Sequence, residues 1–477
     1  YRSTDLYAAV KGIDFIIDGH SHTVMTKGEK GEPIQSTGTA FANIGVIVID
    51  DASKKIESNS LYEIKEDTAK DATVAAAAKV IVDRVNNEYG VKFATSKVEL
   101  NGAKAPNGNR DSETNNGDLI TDAMLWKVMQ NKEGLTVNED HVVAITNGGG
   151  IRAAIAKGDV TKKDINTVLP FGNTVAVVYV TGEQLLEALE ASTFSTPTAV
   201  GGFPQVSGIN FTIHTGKAYD KNDATYPEST YYGPKTINRV VINSVNGKEF
   251  KANEVYAVVT NNFCAAGGDT YYAFKAASAQ FDTGIPLDEA VMEYVTTELK
   301  GVIGAQYAAP QGRILLNPFK DVKVSSWFGK YVIDLYNDGI INGTSATTYT
   351  PDAKLSWAAA LKLLLVSNGD LKAADATGAD WSKNAIAKAA ELGLVAADLD
   401  GAKAISRLEF CQVAAKLNKL AESKTESKFT DCTDGYVMAL VDAKVINGMT
   451  ETTFEPAASL TRAQIAKIIY QLNLIEK

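Results

Sequence analysis

The sequence predicts a multidomain α/β protein closed by an all-α repeat module, and three observations carry that expectation. The chain has 477 residues, 45% of them hydrophobic and 22% charged, which is globular material enough for about three domains. Between residues 92 and 317, apolar runs of strand length alternate with segments of helical periodicity. From residue 318 onward the sequence repeats itself. Ile340-Ile341-Asn342-Gly343 matches Val445-Ile446-Asn447-Gly448, and Tyr349, Pro351 and Leu355-Ser356 match Phe454, Pro456 and Leu460-Thr461 at the same offset. A degenerate middle copy holds Leu392-Gly393-Leu394 and Ile405-Ser406-Arg407-Leu408-Glu409. Three copies of about 50 residues are units that bury apolar faces against one another.

In chain order, residues 1–62 give strands at 13–17 and 44–49, the tail of an α/β layer domain. Residues 63–91 hold an Ala-rich helical stretch over 68–88, with Val74, Ala77, Ala78 and Ile81 on one face, expected to connect two domains. Residues 92–317 form an α/β domain with strands at 141–146 and 174–180 and helices at 117–129 and 182–192, and Pro318 marks its end. The repeats follow at about 319–370, 371–420 and 428–477. Ser356, Ser406 and Thr461 are helix N-caps, and Phe410, Val413, Ala414 and Leu417 form one apolar stripe.

Composition excludes several classes. A formal net charge of −10 leaves no surplus of positive charge to pair with a nucleic-acid backbone. Cys264, Cys411 and Cys432 are scattered and odd in number, so neither a disulfide framework nor a cysteine zinc site is expected. No apolar run approaches the ~18 residues of a membrane span. The start at Tyr1 is not a signal peptide, and any export signal is expected to lie in sequence upstream of it.

The loop after residues 13–17 reads Asp18-Gly19-His20-Ser21-His22-Thr23. Two imidazoles at i, i+2 on a strand-to-loop corner have the layout of metal ligands. The stretch from Gly12 to His22 resembles the last metal-binding motif of calcineurin-like metallophosphoesterases of the bacterial 5'-nucleotidase family. That resemblance implies two divalent ions, Zn, Mn or similar, of whose ligands this chain supplies only His20 and His22. The family's other ligand motifs are absent, so an N-terminally truncated enzyme is expected, with no catalytic residue in this chain and no activity of its own.

Four further motifs carry the resemblance through the second domain: Asn109-Arg110-Asp111-Ser112-Glu113, Thr146-Asn147-Gly148-Gly149-Gly150-Ile151-Arg152, Leu169-Pro170-Phe171-Gly172-Asn173, and Thr260-Asn261-Asn262-Phe263 with Gly267-Gly268-Asp269. The resemblance implies that Arg110 and Arg152 face phosphate, a task suited to a bidentate guanidinium. It further implies that Asn147, Gly149 and Gly150 form the nucleotide loop, that Phe171 and Phe263 clamp the base, and that Asp269 takes the ribose hydroxyls. Glycines let a backbone approach a ligand and aim N–H groups at an anion. Gly201-Gly202-Phe203-Pro204-Gln205 also resembles the family but reads as structural.

The repeats resemble surface-layer homology domains, through Thr461-Arg462-Ala463-Gln464 and Ser406-Arg407-Leu408-Glu409. This implies a module that holds anionic secondary cell-wall polysaccharide through Arg407 and Arg462, with Trp357 replacing the arginine in the first copy. The expectation is an extracellular, cell-wall or surface-layer associated 5'-nucleotidase of Gram-positive type, acting on nucleoside monophosphates. The alternatives are a 2',3'-cyclic phosphodiesterase or UDP-sugar hydrolase of the same family, or a non-catalytic nucleotide-binding surface-layer protein.

Overall fold

The computed structural model describes residues 2–372 and 374–475, which divide into two compact units, Tyr1–Glu88 and Tyr89–Lys477. In the first unit, the strand Ile34–Thr37 lies between Ile16–Asp18, to which it is parallel, and Val24–Met25, to which it is antiparallel. The strand expected at 13–17 starts only at Ile16, whose N–H bonds the carbonyl of Pro33. Asn43–Ile49 and Ile56–Glu63 form an antiparallel hairpin. The helix Ala72–Tyr89 forms where the periodicity placed it but buries none of its residues. Its predicted stripe is solvent-exposed, with Val74 at 67% and Ile81 at 61%. Periodicity states that a face can be buried, not that a partner is there.

The second unit begins with a mixed sheet in the order Pro204–Ser207, Val142–Asn147, Val255–Asn261, Thr174–Thr181, Ala279–Pro286. Its side chains alternate between two cores. Val142, Ala144, Val175, Val177, Ala257 and Val259 pack on the helices Asn115–Met129 and Leu287–Thr297. Val143, Ile145, Ala176, Val178, Val180 and Val258 pack on Gly182–Ser192 and on a second sheet, Val240–Val245, Ile209–Ile213 and Ile314–Leu316. Burial on both faces explains why the central strands are continuously apolar. The two central strands 142–147 and 255–261 run parallel, so Asn147 and Asn261 end side by side at one edge of the sheet.

A buried carboxyl pair ties the first helix of this domain to the strand that leaves it. Glu113 Oε2 accepts from Ile314 N–H (2.7 Å) and Asp118 Oδ2 from Gln311 N–H (3.1 Å). Glu113 Oε1 and Asp118 Oδ1 are buried without a hydrogen-bond partner among the described residues, and the two carboxyls are electrostatic neighbours. Arg313 stands 3.5 Å from Asp118 and pairs with Asp122 at 2.8 Å, and Asp122 also accepts from Ser207 and Tyr307. Burial, and then the neighbouring Glu113 charge, push Asp118 up to about 9. Burial raises Glu113 as well, so the two neighbouring carboxyls resist being ionised together.

The exit strand continues into the repeats without a slack linker. Ile314–Leu316 pairs parallel with Phe211, Thr212 and Ile213. The Asn337 side chain accepts from Leu316 N–H (2.9 Å) and donates to its carbonyl (3.0 Å), standing in for a strand neighbour. Asn317, 1% exposed, donates to Val322 O (2.8 Å) and contacts His214 Nδ1 (3.0 Å), while its own N–H bonds Ile213 O. A Cβ on Gly216 would stand 2.2 Å from Pro318 O.

The repeats form a closed ring of helix pairs around one shared core. Ser356, Ser406 and Thr461 cap the helices Trp357–Asn368, Arg407–Leu417 and Arg462–Asn473. The first N–H groups of a helix lack intrahelical partners, and here the loop of the next repeat supplies them. Trp357 and Ala358 bond Lys403 and Gly401, Arg407 and Leu408 bond Ala458 and Pro456, and Arg462 and Ala463 bond Ala353 and Pro351. The order runs first to second, second to third, third to first. Two carboxylates, absent from the sequence reading, hold the turns that are read this way. Asp321 accepts from Tyr349 and Thr350 N–H, and Asp431 from Phe454 and Glu455 N–H, where Thr350 and Glu455 sit at φ 59°. Phe319-x-Asp321 and Phe429-x-Asp431 were the visible signal.

Candidate functional site

The C-terminal edge of the two parallel strands gathers most of the residues singled out in the second domain. Ligands of α/β sheets characteristically sit outside such strand ends. Asn147 donates through Nδ2 to Asp269 Oδ2 at 2.8 Å, and Asn261 donates to Asn147 Oδ1 at 3.0 Å. Asn147 therefore has a protein partner at both ends of its amide. Asp269 occupies a left-handed conformation, φ 52°, between the preceding glycines and the Gly201 loop. Burial raises its pKa, while the Asn147 bond and the Arg110 charge oppose the shift.

Arg110 faces Asp269 and Arg152. Its Nε is buried and unbonded, and burial, followed by repulsion from Arg152, holds its pKa below the usual guanidinium value. Arg152 donates to Gly149 O at 3.2 Å and lies 5.5 Å over the ring of Phe171. Two guanidinium groups are thus neighbours at this edge, and their charges repel.

Gly149 acts differently from the expectation. Gly148 and Gly149 donate their N–H groups to Phe203 O and Gly201 O, both at 2.7 Å, so neither is available to an anion. A Cβ on Gly148 would stand 1.6 Å from Asn109 O. Close approach of two loops, rather than of a ligand, requires the residue to be glycine. Phe171 and Phe263 are 60% and 44% exposed, unusual for rings on a packed domain. Phe171 borders a small cleft with Thr146, Gly150 and Asn261, and Phe263 lies on the helical turn that Asn261 caps.

Two residues of this site carried no assigned role in the sequence. Asn261 joins Thr146, Asn147 and Cys264. Gln205, fully buried, accepts from Thr114 N–H and donates to Asn109 O and Ser112 O, fixing the loop that carries Arg110. Asn261-x-x-Cys264 at a strand end was a readable N-cap signal.

The family model described as 5'-nucleotidase, C-terminal domain, matches residues 92–276, and the S-layer homology domain model matches 318–360 and 431–466. The chain carries a 5'-nucleotidase C-terminal domain and S-layer homology domains. Trifunctional nucleotide phosphoesterase protein YfkN of Bacillus subtilis is 34% identical to the chain over 334 residues, 66% of this chain and 20% of that protein. The 5'-nucleotidase of Vibrio cholerae is 28% identical over 269 residues, 55% of this chain and 41% of that protein. The chain thus spans a fifth to about two fifths of these relatives. The crystal structure of a 5'-nucleotidase precursor from Thermus thermophilus is 28% identical and covers 66% of this chain and 62% of its own, at a TM-score of 0.47.

His20 and His22 are both exposed, and His22 sits at φ 56°. Among the described residues no three His, Cys, Asp or Glu side chains are grouped to hold a metal. Two imidazoles alone do not fit a two-metal centre, which needs bridging and terminal ligands.

In the S-layer homology module, Arg407 and Arg462 hold protein rather than stand free. Arg407 is 6% exposed, lies 4.7 Å over the Phe454 ring and donates to Asn447 O at 2.6 Å. Arg462 lies 4.4 Å over Tyr349 and donates to Tyr349 O and Asn342 O. Each guanidinium clamps the next repeat's turn. Trp357 stands at the equivalent position of the first copy, and the second copy, whose Lys403 O accepts from Trp357 N–H, carries Leu399 at the position of the aromatic. The arginine and its ring are absent together. A groove of about 240 Å³ remains, lined by Trp327, Arg407, Asn447, Met449, Gln464 and Lys467. Trp327 and Lys467 are its exposed aromatic and cation.

Proposed function

We propose that the chain is the substrate-recognising and surface-anchoring part of a 5'-nucleotidase. Residues 92–317 take the nucleotide, and 318–477 attach the protein to anionic secondary cell-wall polysaccharide. The observation that carries the first half is the convergence of Arg110, Arg152, Asn147 and Asp269 at one sheet edge beside two exposed phenylalanines. In this reading Phe171 and Phe263 stack the base, Asp269 accepts from sugar hydroxyls, and the two arginines meet the phosphate. Nucleoside monophosphates are the substrates, in keeping with relatives named as nucleotide phosphoesterases. Because His20 and His22 do not complete a metal centre, hydrolysis is not assigned to residues of this chain. Among the described residues no helix is long and apolar enough to cross a membrane. Surface attachment is assigned to the repeats from their match to S-layer homology domains.

Calorimetric titration tests the nucleotide half. Adenosine and AMP should both bind, and Phe263→Ala should weaken adenosine by ~1–3 kcal/mol, the worth of one stacking face. Arg152→Ala should weaken AMP more than adenosine, because its partner is the phosphate. Equal affinity of Phe263→Ala and wild type for adenosine removes that ring from the site.

The groove supports the anchoring half, with Lys467 as the charge and Trp327 as a platform for a sugar face. Full-length protein should co-sediment with purified Gram-positive cell walls, less so as salt screens the charge pairs. Lys467→Ala and Trp327→Ala should each weaken this several-fold while leaving thermal unfolding unchanged. Pelleting by a folded double variant at the wild-type level assigns the contact elsewhere.

A further inference from the structure

We infer that Asn261 is a positioning residue that sets selectivity for the ribose hydroxyls by orienting Asp269 through Asn147. This rests on reading the site as one for a nucleoside, and it adds a residue to which that reading gives no part.

The polarity of the chain of amides is fixed at one end. Asn261, 1% exposed, ends a strand and caps the turn Asn262–Ala265. The N–H of Cys264 can only donate, and it does so to Asn261 Oδ1 at 2.8 Å. The other half of the Asn261 amide is therefore Nδ2, which donates to Thr146 Oγ1 (2.9 Å) and to Asn147 Oδ1 (3.0 Å). Asn147 must then present Nδ2 to Asp269, and it does, at 2.8 Å. Each amide accepts on one side and donates on the other, so a backbone N–H two side chains away dictates that a donor faces the carboxylate.

Asp269 needs that donor. Burial opposes its charge, the Asn147 bond favours it, and its backbone is held in a left-handed conformation. With Oδ2 held by Asn147, Oδ1 has no hydrogen-bond donor among the described residues and is left to accept from a hydroxyl. A carboxylate oxygen held still accepts from a vicinal diol and finds nothing in a sugar lacking it. Asn261 borders the cleft beside Phe171, but at 1% exposure its amide is spent on Thr146, Asn147 and Cys264.

Asn261→Asp is the discriminating change, since it keeps the acceptor for Cys264 and removes the donor. The Asn147 amide must then turn its Nδ2 toward the introduced carboxylate and its oxygen toward Asp269, which repels Asp269 from its place. Calorimetry of the full chain with adenosine and 2',3'-dideoxyadenosine reads the effect. Wild type should prefer adenosine by about tenfold, the worth of hydrogen bonds to a charged acceptor. In Asn261→Asp the preference should fall close to one through loss of adenosine affinity, with dideoxyadenosine affinity kept. Asp269→Ala should abolish the preference too, and adding Asn261→Asp to it should change the ratio no further. Asn261→Ala, which removes the chain of amides without adding charge, supplies the same readout if the aspartate variant does not fold. A folded variant that keeps the tenfold ratio, or one that loses both ligands equally, overturns the inference. Wild type binding both ligands equally overturns it while leaving base stacking intact, and wild type binding neither removes the nucleoside reading along with it.

Discussion

Replacing Arg407 with alanine should destabilise the whole S-layer homology module instead of trimming a surface contact. The side chain is buried across a repeat boundary, its guanidinium on the Phe454 ring and its Nη2 on Asn447 O. Truncation removes a desolvated cation–π contact and a charge-assisted hydrogen bond, leaves Asn447 O without that donor, and opens a cavity where the stem lay. These losses together amount to roughly 2–4 kcal/mol. Because each repeat satisfies the helix start of another, the loss is felt around the ring. Arg407→Lys keeps the charge but not the planar stack, so it should recover only part of the stability. Urea unfolding of the full chain, followed by tryptophan fluorescence, measures both, and an unchanged midpoint in the alanine variant would show the clamp to be dispensable. Arg462→Ala should act the same way through Tyr349, more weakly, since Arg462 is less buried. Loss of wall binding in either variant is thus no measure of a polymer contact, which is why Lys467 and Trp327 are the informative positions.

Asp118→Asn should raise stability in mildly alkaline solution. The native carboxyl is raised to about 9 by burial and by Glu113, whereas in the unfolded chain an aspartate ionises near ~3.9. Between these values the unfolded state binds fewer protons than the native state, so stability falls as pH rises. The slope for one such group reaches about 1.4 kcal/mol per pH unit. An asparagine can still accept from Gln311 N–H through Oδ1, and it has no proton to lose. Thermal unfolding of wild type should decline from about pH 6 to about pH 8.5 while the variant stays level, with a gain on the order of 2 kcal/mol at the upper end. Hydrogen exchange at residues 311–316 should follow the same pattern. Parallel pH curves for the two proteins would mean that burial does not keep Asp118 protonated in the folded chain.

What was legible in the sequence was what neighbouring residues encode. Ser356, Ser406 and Thr461 announced their helices because a cap and the apolar spacing after it lie within one turn. The run at 141–146 announced a strand buried on both faces. Arg110, Arg152 and Asp269 were found through motifs, and the sheet brings them to one edge. What was not legible depends on partners far along the chain. The tasks of Arg407 and Gly149 are set by Phe454 and Gly201, and no local pattern holds that information. The exposed helix Ala72–Tyr89 shows the converse, a well-formed apolar stripe of which no residue is buried.

The joint at Leu316 and Asn317 has a mechanical consequence. With Asn337 bonded to both sides of Leu316 and Asn317 locked between two segments, the 5'-nucleotidase C-terminal domain is mounted on its anchor as on a bracket rather than on a string. A domain on a string samples every bearing and meets its own surface as often as the medium. One on a bracket keeps a single bearing, so once the module has gripped, the nucleotide edge would point in a fixed direction from the wall. On the proposed function, access to the site would then be decided by how the repeats attach.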